Sequence, residues 1–140
     1  MKIKLLILLL TLPFISFSQE VIGKWKTIDD VTGNAKSIVE VYEEDGKVYG
    51  KVSKILTVGE ENKVCSECKG DLKNEPITGM VILQNLSKDG DEWNGGTILD
   101  PNNGKTYKCY ITLESDKKLK VRGYIGFSLI GRTQYWYKVD

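Results

Sequence analysis

The sequence predicts an all-β fold, a small up-and-down antiparallel β-barrel of about eight strands. Short runs of alternating apolar and polar residues are separated by turn signals along most of the chain. No segment keeps the apolar period of a helix long enough to favour an amphipathic helix. Because consecutive antiparallel strands remove their unpaired edges by closing on themselves, we expect a barrel, with a twisted open sandwich as the alternative.

The first three strands are predicted from alternation and from one strong turn. Residues 22–28 form the first candidate strand, and a turn rich in Asp, Thr, Gly and Asn follows it. Residues 35–44 and residues 47–56 flank Asp45-Gly46, a dipeptide typical of two-residue hairpin turns. We therefore expect a β-hairpin with one dry and one wet face here.

The middle of the chain combines a long polar loop with two further strands. The loop is expected over residues 57–76 and is followed by an apolar run, residues 77–86. That run suits either a strand or a single helical turn, and we interpret most of it as a strand. Residues 91–99 form the fifth candidate strand, in which Gly95-Gly96 indicates a bulge.

The last three strands begin after the segment "ILDPNNGKTYKCYITL", which starts at Ile98. Its Pro-Asn-Asn-Gly portion predicts a turn, because proline presets φ while Asn and Gly accept positive φ. The strands expected beyond it are residues 105–113, 118–125 and 131–139. In the sixth strand, alternation places Cys109 on the apolar face.

The N-terminal segment has the pattern of a secretory signal peptide. A lysine-containing start and an uncharged apolar run lead to the small residues Ser16 and Ser18. We predict a signal peptide over residues 1–18 and a single barrel domain over residues 19–140. The apolar run is shorter than the roughly 20 residues of a membrane-spanning helix, so we expect no transmembrane segment after cleavage and a periplasmic or secreted protein. An uncleaved anchor is the alternative.

The composition excludes several classes of function. There are 20 basic and 19 acidic residues, and there is no histidine. Without histidine the chain lacks Ser–His and Cys–His nucleophilic sites and the commonest zinc ligand. The balanced charge shows no patch suited to nucleic acid. We therefore expect a protein that is not an enzyme, with no catalytic residue, no resident metal, no cofactor and no nucleic-acid partner.

The three cysteines form one close pair and one single residue. Cys65 and Cys68 are spaced as Cys-x-x-Cys, and in an exported protein a disulfide is the default. A ring this small contributes about 2 kcal/mol and would act as a loop staple. The alternatives are redox activity, favoured by the neighbouring Lys63 and Lys69, and a metal site. Cys109 is expected to be a buried, inert thiol, or else to pair with one of the other two.

Aromatic residues crowd the second half of the chain and supply the candidate ligand-binding residues. They are Trp93, Tyr107 and Tyr124, together with the cationic Arg122 and Arg132. Residues 135–137, Tyr-Trp-Tyr, cannot all face a core, because adjacent residues in a strand point to opposite faces. An exposed aromatic side chain there would indicate a ligand mouth or a partner surface.

Four segments carry a family resemblance. They are "GKWKTIDDVTGNAKSIVEVYEEDGKVYGKV", "PITGMVIL", "WNGGTILDPNNGKTYKCYITL" and "LKVRGYIGFSLIGRTQYW". Together they resemble the bacterial exported proteins grouped as domain of unknown function family 2147. The resemblance implies a small lipocalin-like barrel in the bacterial envelope and implies no activity.

A lipocalin-like barrel would also give Trp25 a role. Gly23-Lys24-Trp25 is similar to the Gly-x-Trp at the start of the first lipocalin strand, where an arginine packs over the indole and closes the barrel. The resemblance thus implies that Trp25 is a structural barrel plug, with Arg122 and Arg132 as candidates for the covering cation.

Three functional hypotheses follow, in this order. The first is a barrel that binds a small apolar or amphipathic ligand. The second is a structural or interaction protein of the envelope, with a filled barrel and a protein partner bound at residues 135–137 or 57–76. The third is a thiol–disulfide redox protein that uses Cys65 and Cys68.

Overall fold

A computed structural model of the protein describes residues 21–140, and eight antiparallel strands make up most of this region. The strands are β1 Gly23–Ile28, β2 Ala35–Glu44, β3 Lys47–Ile55, β4 Val81–Asp89, β5 Glu92–Asp100, β6 Lys105–Ser115, β7 Lys118–Tyr124 and β8 Gly131–Lys138. One 3₁₀ turn, Gly70–Leu72, lies in the long loop between β3 and β4. The predicted signal peptide falls outside the described residues. Between residues 21 and 140 there is no helix that is long and apolar enough to cross a membrane.

Each strand pairs with the next, and the sheet closes on itself. The closing seam joins β1 to β8, with Trp25 opposite Lys138 and Lys26 opposite Tyr137. The predicted up-and-down barrel of eight strands is therefore confirmed, and the open-sandwich alternative is wrong. In this topology alternate connections lie at the same end of the barrel. The connections β1–β2, β3–β4, β5–β6 and β7–β8 lie at one end, and the connections β2–β3, β4–β5 and β6–β7 lie at the other.

The largest difference from the expected strands concerns β4. It begins at Val81 rather than at residue 77, because the preceding residues turn: the Met80 N–H donates to the Ile77 carbonyl at 3.0 Å, and Gly79 has a φ of +91°. The predicted bulge in β5 is present, since the pairing with β6 shifts register around Gly95, whose φ is +79°.

Large apolar side chains fill one half of the barrel, which we call the closed end. Three short hairpin turns lie there, and the strands around them carry the largest fully buried side chains. Trp25, Leu83, Leu86, Ile111 and Leu119 belong to this group. The indole N–H of Trp25 donates to the Val21 carbonyl at 2.8 Å, so its polar atom is satisfied inside the core.

In the other half, the open end, small and polar side chains interrupt the apolar lining. Strands β1, β2, β7 and β8 contribute Thr27, Ser37, Gly123 and Gln134 to its interior. Glycine adds no side chain, and the hydroxyl residues add little volume. These small residues leave internal space at the open end, whereas large apolar side chains such as Trp25 and Leu119 fill the closed end.

Candidate functional site

The internal space at the open end is a cavity of about 610 Å³. Its wall and floor carry apolar side chains from most strands and from the β3–β4 loop: Val52, Ile55, Ile77, Ile82, Ile98, Leu99, Val121 and Trp136. Its rim carries charged and amide side chains, among them Asp30, Lys36, Asn103 and Arg132. The cavity therefore combines an apolar body with a polar mouth.

Polar side chains that face the cavity are paired with one another. Thr27 Oγ1 and Ser37 Oγ lie 2.7 Å apart and share a hydrogen bond between β1 and β2. Asp30 forms an ion pair with Arg132, and its carboxylate also accepts a hydrogen bond from Gln134 Nε2 at 3.3 Å. Asp30 thus ties the β1–β2 loop to β8 across the rim.

The neighbouring carboxylate of Asp29 shapes the same loop. It accepts hydrogen bonds from the backbone N–H groups of Val31 and Thr32 at 2.8 and 3.0 Å. These bonds, with a smaller contribution from Lys36, hold the pKa of Asp29 below its ordinary value of 3.8. Asp29 is therefore a negatively charged turn residue at the mouth.

The cysteine pair forms a staple within the long β3–β4 loop, and the stapled segment lies against the β5–β6 turn. Cys65 and Cys68 form the predicted disulfide, and Cys65 Sγ lies 3.5 Å from the carbonyl oxygen of Pro101. A side chain at Gly104, which has a φ of +71°, would collide with the Glu67 carbonyl. The Pro-Asn-Asn-Gly turn therefore needs its glycine for two reasons: the left-handed backbone and the close approach of the disulfide loop.

The third cysteine, Cys109, is separate from this pair. It is fully buried and keeps a free thiol, so the alternative in which it pairs with Cys65 or Cys68 is wrong. Burial raises the pKa of the Cys109 thiol to about 12. Because the thiolate is the reactive form, Cys109 has the features of an inert core residue.

The structure separates the five candidate ligand-binding residues into two groups. Tyr107, Tyr124 and Arg132 line the cavity. Trp93 lies instead near the start of β5, buried beneath Lys88, whose Nζ is 5.6 Å from the ring centroid. It belongs to the closed end, because β5 begins directly after a closed-end turn.

Arg122 also lies away from the cavity lining. Its Nε donates to the Ser128 carbonyl at 2.7 Å, and its Nη1 donates to Thr133 Oγ1 at 2.8 Å. Arg122 therefore holds the β7–β8 loop in place.

The cation over Trp25 is a lysine rather than an arginine. Lys138 Nζ lies 4.9 Å from the centroid of the Trp25 ring and donates to the Ile22 carbonyl at 2.9 Å. The reason is the register of the closing seam, which places Lys138 opposite Trp25. Arg132 lies at the start of β8, at the opposite end of the barrel, where it pairs with Asp30.

The aromatic triplet at the end of the chain divides as strand alternation requires. Trp136 is buried and lines the cavity, whereas Tyr135 and Tyr137 are exposed on the outer wall of β8. Lys118 covers Tyr135, with its Nζ 4.4 Å from the ring centroid.

Sequence reasoning missed the inward polar residues Thr27, Ser37 and Gln134. The signal for two of them was present, since Thr27 and Ser37 each stand two positions from a fully buried residue on the same strand, Trp25 and Val39. Asp30 had no such signal, because its role depends on a partner more than a hundred residues away.

The fold is a closed up-and-down barrel of eight antiparallel strands with a cavity open at one end, and this is a lipocalin-like architecture. A solved structure of protein HP1028 from Helicobacter pylori, described as belonging to the lipocalin family, superposes with a TM-score of 0.76. It is 24% identical in sequence, and the match covers 86% of this chain and 84% of that one.

Residues 23–138 match the family described as uncharacterized proteins conserved in bacteria (DUF2147), and the chain belongs to it. The family resemblance seen in the sequence is thus confirmed. None of the curated proteins compared with the chain matches it significantly.

Proposed function

We propose that the barrel binds a small apolar or amphipathic molecule in its open-end cavity and catalyses no reaction. The observation that carries this proposal is the cavity of about 610 Å³, enclosed by apolar side chains and bordered by polar ones. Small-molecule sites in proteins are typically concave, mostly apolar and roughly 300–1,000 Å³ in volume, with a few polar groups that orient the ligand.

The distribution of polarity indicates how such a ligand would lie. Its apolar part would contact the deep residues, among them Val121 and Ile82, and its polar end would reach Arg132 and Tyr107 at the mouth. Trp136 adds a further preference. Its indole N–H has no acceptor among the described residues, so a ligand oxygen beside it would satisfy a buried donor.

The disulfide between Cys65 and Cys68 favours an exported protein, periplasmic or secreted. A structural disulfide such as Cys65–Cys68 persists in oxidising compartments and is rare in the reducing cytosol.

The two other hypotheses have less support. A filled barrel with a purely structural role does not agree with the open interior. A redox role for Cys65 and Cys68 requires a sulfur that a partner thiol can reach, and both residues are buried, with exposures of 0% and 3%.

The proposal is tested by native mass spectrometry of the protein isolated from the cells that export it. Any bound molecule is then extracted with solvent. Titration with a fluorescent fatty acid gives an independent measure of binding. A Val121→Phe variant fills the cavity, and we expect it to weaken fatty-acid binding at least about tenfold, because the site loses the volume that holds the ligand.

The matched control is Val81→Phe, the same substitution at a partly exposed residue of β4 outside the cavity lining. It should bind the fatty acid like the unmodified protein. The proposal fails if the unmodified protein carries no small molecule and binds no fatty acid, or if both variants weaken binding equally.

A further inference from the structure

The β7–β8 loop, residues 125–130, presents apolar side chains to solvent at the mouth of the barrel. Its sequence, Ile-Gly-Phe-Ser-Leu-Ile, contains no charged residue. The exposed fractions are 66% for Ile125, 58% for Phe127, 84% for Leu129 and 57% for Ile130. We call this loop the apolar tip. Ile125 and Ile130 also line the cavity, whereas Phe127 and Leu129 neither line it nor belong to the core, so folding alone does not explain their apolar character.

The apolar tip has apolar neighbours on other loops of the same end. Val31 in the β1–β2 loop is 93% exposed, and Val58 in the β3–β4 loop is 92% exposed. Turns at the closed end have the opposite character: Asp45-Gly46, Gly90-Asp91 and Asp116-Lys117 are polar or charged. Exposed apolar side chains are therefore concentrated around the cavity mouth.

The backbone of the apolar tip has its carbonyl groups largely satisfied. Within the loop, the N–H groups of Ile125 and Ile130 donate to the carbonyls of Ile130 and Phe127, each at 3.1 Å. Arg122 donates to the carbonyls of Ser128 and Leu129 at 2.7 and 3.4 Å. Lys108 Nζ donates to the Gly126 carbonyl at 3.3 Å. Five of the six carbonyls thus have partners, which lowers the cost of moving the loop into an apolar medium.

The same contacts place positive charge directly behind the apolar tip. Within residues 21–140, neither Lys108 nor Arg122 has an ion-pair partner, and both are bonded to neutral oxygens. Arg132 adds a third cation at the base of the loop, paired with Asp30. An apolar surface backed by unpaired cations is complementary to a bilayer that contains anionic lipids.

We infer that the apolar tip inserts into the interfacial region of an anionic bilayer and holds the cavity mouth against the membrane. This goes beyond the proposed ligand binding, because it assigns a partner to the exposed apolar side chains of the mouth, of which Phe127 and Leu129 do not line the cavity. A bilayer fits better than a protein partner for a geometric reason. The apolar side chains stand on three separate loops around an open mouth, and a fluid surface accommodates such an arrangement without matching its shape.

Vesicle flotation of the protein isolated from the exporting cell tests the inference. The vesicles contain phosphatidylcholine and phosphatidylglycerol in equal parts, or phosphatidylcholine alone. The protein should float with the anionic vesicles and bind the neutral ones more weakly. The double variant Phe127→Ser, Leu129→Ser should lose about tenfold or more in vesicle affinity, because two apolar side chains no longer leave water. Lys108→Gln should lose roughly fivefold on anionic vesicles only.

The matched control replaces two exposed aromatic residues on the wall of β8, Tyr135→Thr with Tyr137→Thr, and should float like the unmodified protein. A further variant, Phe127→Trp, reports directly on insertion. The native tryptophans are at most 8% exposed, so a blue shift of fluorescence on adding anionic vesicles would come from position 127.

The inference is overturned if the apolar-tip variant floats like the unmodified protein, or if the wall variant loses as much binding. Capture of a protein through the apolar tip without flotation on vesicles would overturn it as well. Fatty-acid titration of the same variants without vesicles separates the two proposals. Because the Phe127 and Leu129 side chains lie outside the cavity lining, the apolar-tip variant should bind the fatty acid like the unmodified protein.

Discussion

At the closed end of the barrel large apolar side chains fill the interior and the turns are short, whereas at the open end small and polar side chains interrupt the apolar wall and all four loops are longer. The same strands run through both ends. Strand β1, for example, places Trp25 in the closed end and Thr27 in the open end, two positions further along.

The difference shows how one sheet combines a stable core with an internal site. A barrel of eight strands is just wide enough to be filled by side chains or to hold one small ligand. Tryptophan and leucine fill it at the closed end, while threonine, serine and glycine leave it open at the other. We therefore expect substitutions at the closed end to lower the free energy of unfolding most, and substitutions at the open end to alter mainly the local structure of the mouth.

The largest effect is expected from Trp25→Ala at the closed end. Trp25 is fully buried, and its truncation should lower the free energy of unfolding by about 3–5 kcal/mol, because the removed ring leaves a void. Urea denaturation measures the loss. The comparison is Phe127→Ala at the exposed tip of the open end, which should change stability little. Equal losses in the two variants would contradict the division between the ends.

A pair of glycine substitutions tests the contact between the disulfide loop and the β5–β6 turn. Gly104 and Gly90 have similar positive φ values, +71° and +62°, but only at Gly104 would a new Cβ meet other atoms. Gly90→Ala should cost about 1 kcal/mol from backbone strain. Gly104→Ala should cost roughly 2–3 kcal/mol, because the loop must also move. Identical losses in chemical denaturation would show that the loop does not press on this turn.

Removal of the disulfide should loosen the open end selectively. Cys65→Ser with Cys68→Ser should lower the free energy of unfolding by about 2 kcal/mol, as estimated for a ring of this size. Hydrogen exchange should increase in the β3–β4 loop and stay unchanged around Trp25. The unmodified protein, unfolded and refolded in the presence of a reductant, serves as the control and should reproduce both changes. Faster exchange spread evenly over the barrel would contradict a local staple.

The smallest effect concerns acid pH at the mouth. Because the pKa of Asp29 is lowered in the folded protein, its contribution to stability is present above the ordinary value of 3.8 and is lost as the pH falls through the folded pKa. NMR titration should give Asp29 a midpoint below that value. Protonation should release the amides of Val31 and Thr32 first. A midpoint at or above the ordinary value would mean that the carboxylate does not hold this turn.

Most of the fold was predictable from the sequence, because strand and turn signals act over a few residues. Alternation around Cys109 was sufficient to predict β6, and the Asp45-Gly46 turn was sufficient to predict the hairpin of β2 and β3. The start of β4 was not predictable in the same way, since Ile77 is as apolar as a strand residue but belongs to a turn.

The candidate site was predictable only in part. Of the five residues predicted to bind a ligand, Tyr107, Tyr124 and Arg132 line the cavity, while Trp93 and Arg122 lie elsewhere. Aromatic content indicates which residue types could meet a ligand. It does not indicate at which end of a strand, or on which face, each one stands.

By itself, the sequence determined the class of fold, the number of strands and the cysteine pair, because these depend on period, turn chemistry and spacing along the chain. Tertiary structure alone decided that Lys138 covers Trp25, that Asp30 meets Arg132, and that the apolar tip lies at the cavity mouth. The physical reason is barrel closure: it brings the first and last strands together and gathers alternate loops at one end, so its contacts depend on register across the whole sheet.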